Sequence, residues 1–309
     1  MVSNGTLLDG KSIAHSVDLQ ILENPSKHQD KSPLAVRRPA KGWQFVNLSE
    51  LWKQRELLYF FVWRDVKVRY TQTALGVAWA VLQPVLMMVV FSVFFGRMAR
   101  VPAGNLPYPV FVFAGLLPWT FFATAISDAA NSVVGSERLI TKIYFPRLVI
   151  PLAAIGAAGV DLCVAFGVMI ILIAWFAVKG APIQIGPALF LALPILLLIA
   201  FVAIGVGSLL AALNVAYRDF RYVIPFLVQL WMFATPTVYM QAFNGPGIRT
   251  QLVLLVNPLS GLIAGFRAAI LGTPMPWIHL AFSGLSAIVI LVVGCLYFRK
   301  VEHSFADII

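Results

Sequence analysis

The residues of this chain that could do chemistry are few and scattered. Asp128 and Asp161 lie inside long apolar runs, where a carboxylate is energetically expensive and often functional. A structural, hydrogen-bonded Asp is an equally open interpretation at both positions. Cys163 and Cys295 also lie inside apolar runs, so we expect buried small hydrophobic residues with no disulfide bond and no metal site.

Catalytic motifs are missing from the apolar part of the chain. Residues 46–309 contain no phosphate loop of the form G-x-x-x-x-G-K-[ST], no H-E-x-x-H and no G-x-S-x-G. We also find no inverted repeat between the two halves, which weighs against the common designs of secondary transporters. We therefore expect no catalytic residue and no cofactor in this chain, and any ATP-hydrolysing site on a separate chain.

A polar segment, residues 133–151, separates two apolar runs and reads VVGSERLITKIYFPRLVIP. Ser136 can N-cap a short helix, and Glu137 and Lys142 complement the helix dipole at its two ends. Phe145-Pro146 ends this helix, because a residue before proline avoids the α region. Such a helix would lie on one face of the bilayer, where another protein can push it. A loop helix that only caps the bundle is the open alternative.

The composition defines the class of protein. Of 309 residues, 60% are hydrophobic and 12% are charged, and several apolar runs exceed the length of a membrane-spanning helix. The net charge is +10, but most Lys and Arg residues precede the first apolar run or lie at the ends of runs. Charge in these places orients a membrane protein. We therefore expect contact with membrane lipids and no binding of nucleic acid.

We predict an all-α integral membrane fold with six transmembrane helices in a domain of residues 74–299. The predicted spans are 74–96, 108–133, 148–178, 185–214, 222–239 and 277–298. Residues 252–271 contain Asn257-Pro258 and Arg267, so we expect re-entrant helices there. A seventh span would place Arg299 and Lys300 outside, against the positive-inside rule. Six spans put both termini in the cytoplasm.

The flanking segments are polar or amphipathic. Residues 1–45 lack periodicity and an apolar signal-peptide core, which predicts a flexible cytoplasmic tail. Residues 46–73 place Trp52, Leu58 and Tyr59 on one face beside basic residues, which predicts an amphipathic helix at the membrane interface or against a partner. Residues 300–309 are predicted to be a cytoplasmic C-terminal tail.

Four motifs occur in order along this plan and resemble the ABC-2 type permeases of polysaccharide exporters, which move O-antigen, capsule or teichoic acid chains. They are Arg64-Asp65-x-Lys67-x-Arg69-Tyr70 leading to Leu75-Gly76-x-x-Trp79 and Gln83-Pro84; Leu139-Ile140-x-Lys142-x-x-Phe145-Pro146-Arg147; Tyr217-Arg218-Asp219; and Asn257-Pro258 running to Phe266-Arg267. The resemblance covers the chain from about residue 50 onward.

The resemblance implies that transport and ATP hydrolysis reside on separate chains. Two permeases would assemble with two ATPase subunits, which bind ATP and Mg, and a channel would form between the permeases. The polar segment would be a coupling helix seated on the ATPase, and Arg218 and Asp219 would brace the inner face. The coupling residues implied are Ser136, Glu137, Arg138, Leu139, Lys142, Phe145 and Arg147.

The implied substrate is a glycan linked to undecaprenyl diphosphate, which needs surfaces for phosphate, sugar and lipid. Arg64, Lys67 and Arg69 could attract the diphosphate, although basic residues before a span more often set orientation. Aromatic rings could offer faces to sugars, although rings near span ends more often belong to interfacial belts or packing. The candidate channel-lining aromatics are Phe91, Phe94, Phe95, Phe113, Trp119, Phe121 and Phe122.

Two other functions remain open at this point. An ABC-2 permease for a small lipophilic molecule or drug would share the architecture. A stand-alone secondary carrier would work without an ATPase, and would then use Asp128 and Asp161 for ion coupling.

Overall fold

The computed structural model describes residues 48–71, 76, 78–101, 104, 106–140, 142, 145–183, 186–217, 219–237, 256–302 and 305. Every regular element in these residues is a helix. The predicted tail of residues 1–45 and the predicted role of Arg218 lie outside the described residues. The all-α membrane fold expected from the sequence is confirmed.

The helices, in chain order, are α1 Leu48–Lys53, α2 Arg55–Tyr70, α3 Ala78–Phe91, α4 Tyr108–Gly135, α5 Glu137–Ile140, α6 Val149–Val178, α7 Ala192–Ala216, α8 Phe220–Ala234, α9 Pro258–Leu271 and α10 Trp277–Val301. Helix α3 continues as a π-helical segment, Ser92–Met98, and a 3-10 turn, Pro187–Leu191, precedes α7. With these extensions, α3, α4, α6, α7 and α10 are long and apolar enough to cross a membrane.

Helices α8 and α9 are shorter than the five helices that, with their extensions, could cross a membrane. They contain 15 and 14 residues, respectively. Such helices extend roughly 21–23 Å, less than the roughly 30 Å of a bilayer core. The predicted fifth span, 222–239, therefore corresponds to a helix that ends at Ala234, and residues 238–239 lie outside the described residues. Six spans and re-entrant helices at 252–271 stay predictions.

Helix α4 is the centre of the bundle. Of its most apolar 18-residue window, 78% is buried, whereas the figure for α3 is 6%. Phe113, Leu117 and Phe122 of α4 are at most 1% exposed and pack among side chains of α6, α7 and α9. A helix that is apolar all round is stable when neighbours enclose it, and α4 has such neighbours.

Helices α7 and α10 cross at two glycines. A Cβ on Gly294 would overlap the backbone carbonyl of Gly205, and a Cβ on Gly205 would overlap the carbonyl of Ile290. Small residues of this kind let two membrane helices approach closely. The crossing fixes α10 against α7, which in turn packs on α4.

The predicted interface helix is divided at Gln54 into α1 and α2. Leu58 and Phe61 of α2 pack on a hydrophobic cluster of the bundle, and Val62 contacts α6 at Gly156. Tyr59, which the sequence places on the same face as Leu58, is instead 68% exposed. Helix α2 therefore packs along α6 through Leu58, Phe61 and Val62, and its placement in the membrane interface stays a prediction.

The C-terminal segment differs from the predicted tail at its start. Helix α10 continues to Val301, and the buried ring of Phe305 lies 5.3 Å from the ring of Phe298. Edge-to-face packing of this kind stabilises a buried aromatic pair. Residues 301 and 305 thus belong to the core at this end of the bundle, which we call the α5 end.

Candidate ATPase-docking surface and charged cluster

The polar segment forms a much shorter helix than predicted. Helix α5 is a single turn, Glu137–Ile140, whose backbone N–H groups of Leu139 and Ile140 donate to the Ser136 carbonyl. Lys142 lies in a turn, and Phe145 lies outside any helix. The predicted helix from residue 136 to about 145 is therefore wrong in length.

The coupling residues expected from the sequence divide into two groups. Glu137, Arg138 and Lys142 are exposed at the α5 end, whereas Ile140 and Phe145 are buried. Leu139 lies partly buried on the same cluster, and Ser136 is 9% exposed. The turn therefore presents charged side chains outward while its apolar side chains hold it to the bundle.

The polar segment is tied to two other parts of the α5 end. The ring of Phe145 packs edge-to-face on Phe61 of α2, with the centroids 5.7 Å apart. The Arg147 guanidinium donates to the backbone carbonyl of Glu302, just beyond α10. Arg147 thus makes a contact within this chain, and its contact with an ATPase stays a prediction.

A charged cluster joins the end of α2 to α4 and α6. The Arg69 guanidinium binds Asp128 of α4, with 2.5 Å between Nη2 and Oδ2, and also binds Asp161 of α6. The Tyr70 hydroxyl donates to Asp161. Sequence reasoning treated these residues separately, although two carboxylates in apolar runs already signal a need for a cation.

The cluster determines how its members ionise. Burial lowers the pKa of Arg69, but the Asp128 and Asp161 carboxylates outweigh this effect and the pKa lies above its usual value. Burial and the Asp161 carboxylate raise the pKa of Tyr70 to about 12. The guanidinium therefore stays charged and the phenol stays protonated near neutral pH, so both can donate hydrogen bonds.

The three predicted diphosphate ligands differ in their surroundings. Arg69 is bound by two carboxylates, so its positive charge is already neutralised. Arg64 pairs with Asp65 at 2.8 Å and stacks over the Phe61 ring. Lys67 is exposed. Binding of a diphosphate by these residues stays a prediction, and in this conformation it depends mainly on Lys67.

The predicted channel-lining rings on α4 belong mostly to the core. Phe113 and Phe122 are 0% exposed and Trp119 is 3% exposed. Phe122 packs against Trp231 of α8 with the centroids 5.1 Å apart. A fully buried ring has no face to offer a sugar in this conformation. Of the four α4 rings, Phe121 borders the cavity described below.

The rings on α3 are more accessible. Phe91 and Phe95 stack on each other with the centroids 5.6 Å apart, and Phe94 is 55% exposed. The channel-lining hypothesis stays a prediction, and these three rings are its better candidates.

A cavity of about 350 Å³ lies beside the charged cluster. Tyr70 from α2, Trp79 and Gln83 from α3, Thr124 from α4 and Leu162 from α6 contribute to its wall together with the charged residues. The volume lies at the lower end of the roughly 300–1,000 Å³ that is typical of small-molecule sites. In the sequence, Trp79 and Gln83 were noted only as part of the family motif. No sequence pattern predicted that they lie beside Asp128 and Asp161.

The Asn257-Pro258 motif ties α8 to α9. The Asn257 side-chain oxygen Oδ1 accepts from the Leu259 N–H and the Trp231 indole, each at 3.1 Å, and the side-chain Nδ2 donates to the Thr235 hydroxyl at 2.9 Å. Asn257 is therefore the N-cap of α9, and Pro258 occupies the first helical position, where proline is favoured.

Arg267 is the other end of this motif and is 7% exposed. It donates to the Thr237 carbonyl at 2.6 Å, and its guanidinium lies 4.0 Å from the centroid of the Phe111 ring. Gly115 lies so close that a Cβ there would overlap the guanidinium. Carbonyls and an aromatic face thus hold this buried cation, which links α4 to the chain after α8.

Two further sequence observations lie at or beyond the edge of the described residues. Asp219 is exposed and precedes α8 without a side-chain capping bond, so its bracing role stays a prediction. Residues 5–12 read GTLLDGKS and fit the bare phosphate-loop pattern. A functional loop needs a preceding strand and a following helix. The expectation of a separate ATPase therefore stays a prediction.

Comparison with known proteins identifies the family. The ABC-2 type transporter family matches residues 56–271. An O-antigen export system permease protein RfbA of Myxococcus xanthus is 31% identical over 222 residues, which are 71% of this chain and 82% of the relative. A protein of the same name from Klebsiella pneumoniae is 27% identical over 262 residues, 82% and 95% of the two chains. The polysialic acid transport protein KpsM of Escherichia coli is 25% identical over 249 residues, 78% and 92% of the two chains.

The bundle of long apolar helices and the match over residues 56–271 define a membrane transport protein. The chain is a member of the ABC-2 type transporter family.

Proposed function

We propose that this chain is the permease subunit of an ATP-driven exporter of a lipid-linked polysaccharide, acting in a bacterial cytoplasmic membrane with both termini in the cytoplasm. The observation that carries the proposal is the α5 turn. It exposes Arg138 and Lys142 while Ile140 and Phe145 bind it to the same cluster as α2 and α10. A partner that pushes this turn moves the bundle with it.

The polysaccharide assignment is supported by the relatives, two of which are named for O-antigen export and one for polysialic acid transport. An ATPase partner, with two permeases and two ATPases per complex, is supported by membership of the ABC-2 family. ATP and Mg bind the partner in this proposal.

Deletion of the gene for this chain tests the proposal in the source bacterium. Surface polysaccharide should disappear while the lipid-linked glycan accumulates inside the cell, because synthesis continues without export. The wild-type chain and Lys11→Ala should both restore export, since Lys11 lies in the pattern match that we do not expect to bind ATP. Normal surface polysaccharide in the deletion strain would contradict the proposed substrate, and loss of complementation by Lys11→Ala would contradict the separate ATPase.

A further inference from the structure

The cavity beside Arg69 has a chemical character that the proposed function does not by itself specify. Its charged wall consists of one guanidinium and the two carboxylates of Asp128 and Asp161, which are held together by the ion pairs described above. Both ion pairs engage the guanidinium, so it is not free to bind another anion. No other cation lines the cavity among the described residues. The cavity therefore offers a phosphate or diphosphate no free cation.

The remaining wall suits a neutral, hydroxyl-rich group. Gln83 and the Thr124 hydroxyl can both donate and accept hydrogen bonds, whereas the Thr120 hydroxyl donates to the Leu117 carbonyl at 3.0 Å and can accept. Carboxylate oxygens accept hydrogen bonds from neighbouring hydroxyls. The indole of Trp79 is 46% exposed and offers a flat apolar face to the C–H groups of a sugar ring. Apolar side chains of α6, including Leu162, complete the wall.

We propose that this cavity binds one sugar unit of the exported glycan and thereby distinguishes a glycan-bearing lipid from the bare lipid diphosphate. The proposal rests on the proposed function, since it names the part of that substrate that the chain recognises. It also separates two surfaces. The sugar lies between α2, α3, α4 and α6, whereas the diphosphate needs a cation elsewhere, such as the exposed Lys67.

The cavity lies near the segment that we expect to contact the ATPase, so sugar binding could be sensed there. The cluster that forms its wall begins at Arg69 and Tyr70, the last residues of α2. The other half of α2 carries Phe61, which packs on Phe145 of the coupling segment. A sugar that contacts Tyr70 or the two carboxylates is therefore one helix away from the surface expected to meet the ATPase.

The test uses the complete permease–ATPase complex in lipid nanodiscs. The rate of ATP hydrolysis is measured at increasing concentrations of undecaprenyl diphosphate bearing the native glycan and, separately, of bare undecaprenyl diphosphate. For the wild type, we expect half-maximal stimulation at about a tenfold lower concentration of the glycan-bearing lipid, as one additional bound group provides. Trp79→Ala and Thr124→Val should each abolish this preference, whereas Trp79→Phe, which keeps an aromatic face, should retain most of it.

Trp175→Ala is the matched control, because Trp175 is an exposed indole far from the cavity, 60% exposed near the end of α6. It should behave as the wild type. If Trp79→Ala fails to assemble, the nearly isosteric Thr124→Val variant carries the test. Retention of the preference in the assembled variants, or equal stimulation of the wild type by the two lipids, would overturn the sugar-binding proposal alone. Absence of stimulation by either lipid, with normal surface polysaccharide in the deletion strain, would overturn the proposed function with it.

Discussion

Arg69 holds two carboxylates that would otherwise repel each other inside the bundle. Arg69→Met leaves Asp128 and Asp161 without their shared cation. We expect a loss of about 1–3 kcal/mol of stability, below the value for a fully buried pair because these side chains are 25–39% exposed. Asp128→Asn should have a smaller effect, because the pair with Asp161 remains. The midpoint of thermal unfolding in detergent measures both; an Asp128→Asn effect as large as that of Arg69→Met would contradict this account of the cluster.

Asn257 offers a second prediction at the residue scale. Asn257→Ala removes the cap of α9 and leaves the Trp231 indole and the Leu259 N–H without their acceptor. We expect a loss of about 2–3 kcal/mol, measured by chemical or thermal unfolding of the purified chain. Thr235→Val removes only the hydroxyl that accepts a hydrogen bond from the Asn257 side-chain amide, so it should have less than half the effect. Equal effects of the two variants would show that Asn257 does not organise this junction.

Some of these residues could be recognised from the sequence and others could not. Asn257-Pro258 is a local signal, because a cap and a proline at the first position act within a few residues. The Arg69 cluster spans 59 and 92 residues of sequence separation, which no local pattern encodes. Burial of Phe113 and Phe122 was equally hidden, because aromatic residues in a span look the same whether they face a channel or the core.

At the scale of elements, α2 and the coupling segment should move together. Phe61→Ala and Phe145→Ala each break the same edge-to-face contact, so each should reduce glycan-stimulated ATP hydrolysis, and the double variant should be no worse than the more affected single variant. Phe60→Ala is the matched control, because this ring is 71% exposed on the other side of α2. The complex in nanodiscs provides the measurement. Additive losses for the two variants would indicate two independent contacts.

Element lengths were predicted with uneven success for physical reasons. Long apolar runs give α4, α6, α7 and α10 directly, because a spanning helix needs about 20 apolar residues. The length of α5 was overestimated. The capping and charged residues that suggested a longer helix are visible in the local sequence, whereas the apolar contacts of this segment with α2 and α10 are not. The packing of α2 on α6 was not predicted, because a contact between segments far apart in sequence leaves no local pattern.

On the scale of the whole molecule, we expect the two ends of the bundle to have different roles. The α5 end collects the docking turn, α2 and the end of α10 into one hydrophobic cluster. The opposite end holds the start of α4 and the Arg267 contacts with the chain after α8. Rigid helices, closely crossed at Gly205 and Gly294, connect the two ends. We therefore expect a push on the α5 turn to reach the cavity beside Arg69 through α2 and the far end through the long helices.

The most direct test of this account measures ATP-driven glycan translocation in sealed vesicles. The vesicles contain this chain with its ATPase, and a lectin on the far side reports the glycan that has crossed. We expect translocation only with both chains and ATP, a loss of about tenfold or more with Lys142→Glu, which reverses an exposed charge of the docking turn, and normal rates with Lys179→Glu at the other end of α6. Translocation by this chain alone, or an unchanged rate with Lys142→Glu, would contradict the central claim that an external ATPase drives export through the α5 turn.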